Sequence, residues 1–201
     1  MTGGNRRPAT ASTSTAPTEE AQLRTLVRAA PGLAVVTGGQ TGVDTEAALA
    51  AVRAGLRVHL VFPRGLRQED GSLNAARRRQ LTSAAIHELG SASFRYRTWT
   101  CAYLADAVLL LDPAGGSGCR ETIRAARKLG RPLLRTGGLD TPTAAAVENW
   151  LERADARVLM VAGCRGSVLA RQPGADRVVR AALAEAMTGA RAWHDRLLLD
   201  R

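Results

Sequence analysis

Lysine is nearly missing from this 201-residue chain. Lys128 is the only one, although 28 residues are basic and 18 acidic. Aromatic residues make up only 3%, so a core must be built mainly from Ala, Leu and Val. No apolar stretch reaches the roughly 18 residues a membrane-crossing helix needs, and the first residues lack a basic-then-apolar leader. Neither secretion nor membrane insertion is therefore expected, and the cytoplasm is the expected compartment. The three cysteines, Cys101, Cys119 and Cys164, are widely spaced and form no Cys-x-x-Cys. His59, His87 and His194 stand alone in sequence. Spacing thus supports neither a disulfide framework nor a metal site, and reduced thiols are expected.

What is present is charge: a net +10 and a pI near 11.1. A nucleic-acid partner is the obvious reading, and it predicts affinity that falls steeply with salt. The arginines argue against it, because they are dispersed apart from Arg77-Arg78-Arg79. Abundant Arg and Ala together fit the coding bias of a GC-rich genome, with the charges spread over solvated helix faces. Stacking residues are few, and Trp99, Trp150 and Trp193 fall in amphipathic segments where core or interface is expected.

Residues 1–17 are rich in Ser, Thr, Ala and Pro and lack large apolar side chains, which predicts a disordered tail. Thr18 then has the character of an N-cap, with Glu19 and Glu20 in the first turn. Short apolar runs at 33–36, 58–62, 108–111, 132–134 and 158–161 alternate with helical patterns at 43–54, 97–105, 121–129, 143–154 and 176–187. Residues 66–93 are ambiguous, with a loop at Glu69-Asp70-Gly71 and a polar helix after it. Gly163 to Gly174 reads as a loop, and Gly189 closes the last helix. Strands without period-2 alternation, separated by long helices, predict an α/β fold. That fold is a three-layer, doubly wound parallel sheet of about five strands. The expected organisation is a tail over 1–17, one domain over 18–188 and a C-terminal extension over 189–201.

In such sheets ligands bind outside the carboxyl ends of the strands. Glycines and polar residues collect there: Gly38-Gly39-Gln40-Thr41-Gly42-Val43-Asp44 after strand one, and Pro63-Arg64-Gly65 with Arg67, Glu69 and Asp70 after strand two. Gly115-Gly116-Ser117-Gly118 follows strand three, and Gly163-Cys164-Arg165-Gly166-Ser167 follows strand five. Backbone amides in such loops can cradle a phosphate at a helix N-terminus, and Arg64, Arg67 and Arg165 can grip it. No Walker lysine, no GxGxxG and no GxSxG elbow is present. Among carboxylates, Asp44, Glu46, Glu69, Asp70, Asp106 and Glu121 are candidates, although Asp44, Glu46 and Glu121 also read as first-turn acids and Asp106 as a cap. Cys119 opens a helix, which can lower a thiol pKa, but it reads better as a small core residue, as does Cys101.

The Gly38–Asp44 segment, GGQTGVD, resembles a family of proposed molybdenum-cofactor carriers. These are Rossmann-like proteins similar to the phosphoribohydrolases often described as lysine decarboxylases. Matching segments follow in order: Phe62–Gly71, Arg97–Leu111, Gly115–Gly118 and Leu159–Ser167, with Pro173-Gly174 opening the last helix. Three departures stand out, since Thr45, Cys101 and Met160 replace an Arg and two Asn of the family pattern. The resemblance implies a non-catalytic carrier that binds molybdenum cofactor (molybdopterin) or another phosphorylated, nucleotide-like ligand. It implies a homodimer or homotetramer, with a molybdoenzyme as a further partner; composition favours neither nucleic acid nor membrane.

The expected cofactor-binding residues are Gly38, Gly39, Gln40, Thr41, Gly42, Asp44, Arg64, Gly65, Asp70, Arg97, Thr98, Gly115, Gly116, Ser117, Gly118, Gly163 and Arg165. No catalytic or metal-binding residue is assigned. The alternative is a nucleoside 5′-monophosphate phosphoribohydrolase or a nucleotide sensor. Those hydrolases carry PGGxGTxxE, whose Glu position is Thr122 here. Glu121 stands one residue early, a turn of about 100° on a helix.

Overall fold

A computed structural model describes residues 17–137 and 141–200. Residues 1–16 of the tail expected over 1–17, and Gly138 after strand four, lie outside the described residues. Six parallel strands form the sheet: β1 (Ala34–Thr37), β2 (Arg57–Phe62), β5 (Ala84–Glu88), β6 (Ala107–Leu111), β7 (Leu133–Thr136) and β8 (Val158–Gly163). Their order is β5-β2-β1-β8-β6-β7. The chain runs outward from β1 to β2 and β5 on one side and from β6 to β7 on the other, and β8 fills the gap between β1 and β6. A small antiparallel hairpin, β3 (Arg67–Gln68) with β4 (Gly71–Ser72), stands apart.

Helices cover both faces. On one side lie α1 (Glu19–Val27), α4 (Phe94–Leu104) and α5 (Ser117–Lys128), which pack in that order. On the other lie α2 (Val43–Arg53), α6 (Ala144–Arg153) and α8 (Ala175–Leu199). The short helices α3 (Ala75–Gln80) and α7 (Gly166–Leu169) complete the set. Central strands are buried along their whole length: every residue of β1 and β6 is inaccessible. That explains why these strands read as unbroken apolar runs. Thr18 caps α1 as its position predicts, its hydroxyl accepting from the Ala21 amide at 3.3 Å.

Three features depart from the sequence reading. A sixth strand, β5, occupies the ambiguous stretch. It pairs with β2 on one side only, and its half-exposed Ala-Ala-Ile-His-Glu pattern lacks the apolar run of a central strand. The expected 163–174 loop contains α7. The last helix does not stop at Gly189 but continues to Leu199. A Cβ on Gly189 would lie 2.1 Å from the Ala144 carbonyl oxygen, so this glycine lets α8 press onto the start of α6. Beyond it, Trp193 and Leu197 enter the core, and the Trp193 indole donates to the Ala156 carbonyl at 2.7 Å. The boundary drawn at 188 therefore falls inside a helix.

Candidate functional site

The carboxyl ends of β1, β8 and β6 open on a cleft of about 200 Å³. This is where the strand order reverses, the position at which open α/β sheets hold ligands. The turn after β1 contributes Gln40 and Asp44, and α4 contributes Phe94, Arg95, Arg97 and Thr98. The first turns of α5 contribute Ser117, Gly118, Glu121 and Thr122, and β8 and its exit contribute Met160, Ala162, Gly163 and Arg165.

Arg97 organises the floor. It is buried, and its Nη1 donates to Asp44 Oδ2 at 2.9 Å. The Gln40 amide donates to the same oxygen at 3.2 Å. Burial pushes the Asp44 carboxyl up, against the pull of Arg97. Two donors are left over. Arg97 Nε and Gln40 Nε2 are buried and find no acceptor among the described residues. Gln40 cannot turn them round at no cost, because its Oε1 already accepts from the amides of Thr41 (3.1 Å) and Glu69 (2.7 Å). Arg28, Arg57 and Arg131 also carry a buried Nε without an acceptor, but of the five such donors only those of Arg97 and Gln40 belong to residues of the cleft, where a ligand acceptor would be stabilised.

The two glycine loops behave differently. The first is closed. A Cβ on Gly38 would lie 1.0 Å from Arg97 Nη1, and one on Gly39 would lie 2.3 Å from the Phe62 ring. A Cβ on Gly42 would lie 2.5 Å from the Cys164 carbonyl oxygen. These glycines make room for the protein's own atoms. The amides of Gln40 and Thr41 are also consumed within the loop. The second loop is open: a Cβ on Gly115, Gly116 or Gly118 would meet nothing within 4 Å. Gly116 caps α5 without a side-chain acceptor, so the first amides of that helix are free to face an anion.

Arg165 stands over the Phe94 ring at 5.6 Å, Arg67 approaches the same ring at 5.5 Å, and Arg165 makes no ion pair among the described residues. Glu121 is committed elsewhere: its carboxylate accepts from Trp99 Nε1 at 2.6 Å and Arg95 Nε at 2.9 Å, and from Arg124. The Trp99 hydrogen bond, with Arg124 and Arg95, holds it below the usual carboxylate range. The position that carries the glutamate in phosphoribohydrolases holds Thr122, whose hydroxyl donates to the Gly118 carbonyl at 3.2 Å.

Of the expected residues, Gln40, Asp44, Arg97, Thr98, Ser117, Gly118, Gly163 and Arg165 meet in this cleft, with Gly115 and Gly116 in the open loop beside it. The others do not line it. Gly38, Gly39 and Gly42 pack against Arg97, Phe62 and the Cys164–Gly166 backbone, and the Thr41 hydroxyl donates to Glu69. The Arg64 amide donates to the Ser91 carbonyl at 2.9 Å and that of Gly65 to Glu88 Oε1 at 2.7 Å. Asp70 pairs with Arg77 at 2.7 Å. Among the carboxylates, Asp106 accepts from the Arg157 and Val158 amides and anchors the start of β8.

Phe94, Arg95 and Met160 line the cleft without having been expected there. Phe94 and Arg95 precede the matched Arg97 segment, and Met160 enters the sequence pattern only as the loss of an Asn. Glu69 is better placed than a turn acid: Ser167, through its amide at 2.9 Å and its hydroxyl, and Thr41 all donate to it. It thus latches the β3–β4 hairpin to the loops after β1 and β8. Burial opposes ionisation of Glu69, but the Ser167 and Thr41 hydrogen bonds win and hold it below the usual range.

A three-layer parallel α/β fold with a polar, donor-rich cleft at the carboxyl edge of its central strands defines a Rossmann-like protein. More narrowly, the chain belongs to the circularly permutated YpsA SLOG family (cpYpsA), whose model matches residues 35–187. A crystal structure from Syntrophus aciditrophicus SB, of a protein proposed to be a molybdenum carrier, shares the fold. It superposes with a TM-score of 0.61 at 21% identity, over 78% of this chain and 96% of that one. The apo structure of AtPrR2 overlaps at a TM-score of 0.36 and 14% identity, over 62% of this chain and 45% of that one, and carries no argument. No curated protein matches the chain. Among the described residues no helix is long and apolar enough to cross a membrane.

Proposed function

We propose that this protein binds a phosphorylated small molecule in the cleft and does not transform it. One observation carries the reading: two residues that line the cleft, Arg97 and Gln40, each hold a buried donor, Nε and Nε2, without an acceptor among the described residues. Arg165 and the uncapped start of α5 add positive potential around them. A phosphate or a pterin carbonyl satisfies such donors, and the open Gly115–Gly118 loop leaves space for it. The two carboxylates that line the cleft support binding over reaction, because both are committed to the protein's own donors: Asp44 to Arg97 and the Gln40 amide, and Glu121 to Trp99, Arg95 and Arg124.

Molybdenum cofactor is the cargo that the likeness to the Syntrophus aciditrophicus protein favours, carried by a homodimer or homotetramer to a molybdoenzyme. The residues that would hold it are Gln40, Arg97, Thr98, Ser117, Gly118 and Arg165. Native mass spectrometry of freshly purified full chain tests this directly. The expected result is a mass shift from a phosphorylated ligand that is lost in Arg165→Ala. The reading fails if the chain carries no ligand and neither molybdopterin nor any nucleoside monophosphate raises its Tm.

A further inference from the structure

Widely separated in sequence, Asp112, Cys119 and Cys164 converge beneath the open glycine loop. All three are buried, and one ligand atom from each lies within 4.8 Å of the others. Cys119 Sγ is 3.9 Å from Cys164 Sγ, and Cys164 Sγ is 3.5 Å from Asp112 Oδ1. We propose that these three residues form a site for a thiophilic divalent cation of the zinc class; the Gly115 carbonyl oxygen, 3.7 Å from Cys164 Sγ, is a further oxygen beside it.

The distances carry the argument. At tetrahedral angles, two sulfurs each about 2.3 Å from zinc stand about 3.8 Å apart. A sulfur and a carboxylate oxygen about 2.0 Å from the same ion stand about 3.5 Å apart. Two of the three separations are already present, and the third, from Cys119 Sγ to the Asp112 carboxylate, lies within 4.8 Å and closes by a small side-chain rotation as the ion binds. A disulfide, by contrast, needs the sulfurs at about 2.0 Å and has no use for Asp112.

Rigid elements hold the donors. Asp112 ends β6, and its amide donates to the Thr136 carbonyl at 3.0 Å. Cys119 sits in the first turn of α5. The Cys164 amide donates to the Leu111 carbonyl at 3.3 Å, and the Cys164 carbonyl accepts from the Val43 amide at 3.1 Å. Arg135 donates to the second carboxylate oxygen of Asp112 at 2.8 Å, which orients the ligand. Two thiolates, a carboxylate and a divalent ion sum to one negative charge, and Arg135 balances it. Two sulfurs among three donors select zinc-class ions over magnesium or calcium.

The site is distinct from the cleft donors, although Cys119 and Cys164 adjoin the cleft residues Gly118 and Gly163. Its test is independent of any cargo. Full-length protein kept reduced with a phosphine is titrated with Co²⁺ and then with Zn²⁺. The expected result is one equivalent bound, with tetrahedral visible bands and a thiolate-to-metal charge-transfer band, both erased by Zn²⁺. Cys119→Ser, Cys164→Ser and Asp112→Asn should each weaken binding at least tenfold, and Cys101→Ser should leave it unchanged. The charge-transfer band reads sulfur ligation in the unaltered chain, so the result does not depend on any variant folding. Absence of that band at saturating Co²⁺ overturns the proposal, as does a band that survives Cys164→Ser in a folded variant.

Discussion

At the residue scale, the molecule separates glycines that serve packing from glycines that serve access. Gly38 lies against the Arg97 guanidinium, which in turn is fixed by Asp44. Gly38→Ala is therefore expected to displace a buried ion pair and cost about 2–4 kcal/mol of stability. Gly118→Ala points its methyl into open space within α5 and should leave stability unchanged or raise it by up to about 1 kcal/mol. Urea denaturation of the two variants checks the contrast, which comparable losses would contradict. For the same reason a substitution at Gly39, with its φ of +65° and Phe62 against it, reports on folding before it reports on any ligand.

A second residue-scale consequence comes from His59 and His87, isolated in sequence but stacked across β2 and β5 with Nδ1 and Nε2 3.0 Å apart. Burial pushes the His59 imidazole down to about 4, and the His87 and Arg57 charges push the same way. Burial also lowers His87. In the unfolded chain both take up protons near pH 6.5. Stability is thus fully present above about pH 6.5 and is lost as the pH falls toward 4, because the unfolded state binds protons first. Tm should drop across that window in the natural protein and drop less in His59→Gln. Parallel Tm profiles for the two would refute the assignment.

At the scale of elements, legibility followed burial. Strands β1, β2, β6 and β8 are covered on both faces and appear in the sequence as apolar runs, so the parallel sheet was readable. The edge strand β5 is half-exposed and carries Ala, Ile and His without a run, so nothing local distinguished it from a loop. The extent of α8 was hidden for a different reason. Gly189 is a local helix-stopping signal, and only the tertiary contact with Ala144 shows that it is a packing residue. Gly189→Ala gains about 1 kcal/mol of helix propensity. It also sets a methyl 2.1 Å from a carbonyl oxygen, which should cost more, for a net loss of about 1–3 kcal/mol. Denaturation midpoints decide the sign, and a stabilised variant would mean that α8 yields easily there. The cleft was legible to the same partial degree. Sequence order located the loops, but not which of them is filled by the protein's own arginine. Nor could spacing show that Cys119, Cys164 and Asp112 converge, since three separate elements bring them together.

At the scale of the whole molecule, the +10 charge resolves into pairs and a remainder. Arg77, Arg124, Arg180, Arg191 and Arg196 are spread over different elements and each faces a carboxylate, and such exposed pairs contribute little individually. Arg95 and Arg97 are also paired, at the cleft itself. Arg165 and Arg67, flanking Phe94, make no ion pair among the described residues and leave a localised positive potential. A local pocket and a polyanion-binding face make different demands on salt. Duplex DNA bound through Z phosphates loses affinity with a log–log slope of about −0.9Z, which is steep when six or more arginines take part. A single phosphorylated ligand held by Arg97, Arg165 and the start of α5 engages one or two charged groups, so its slope should lie near −1 to −2. Titrating the natural protein with its phosphorylated ligand and with duplex DNA at 50 and 200 mM salt separates the cases. The expected outcome is a several-fold loss for the ligand at the higher salt and no measurable DNA complex there. A DNA complex that persists at 200 mM would move the functional surface from the cleft to the helix faces, because the cleft is too small to admit a duplex.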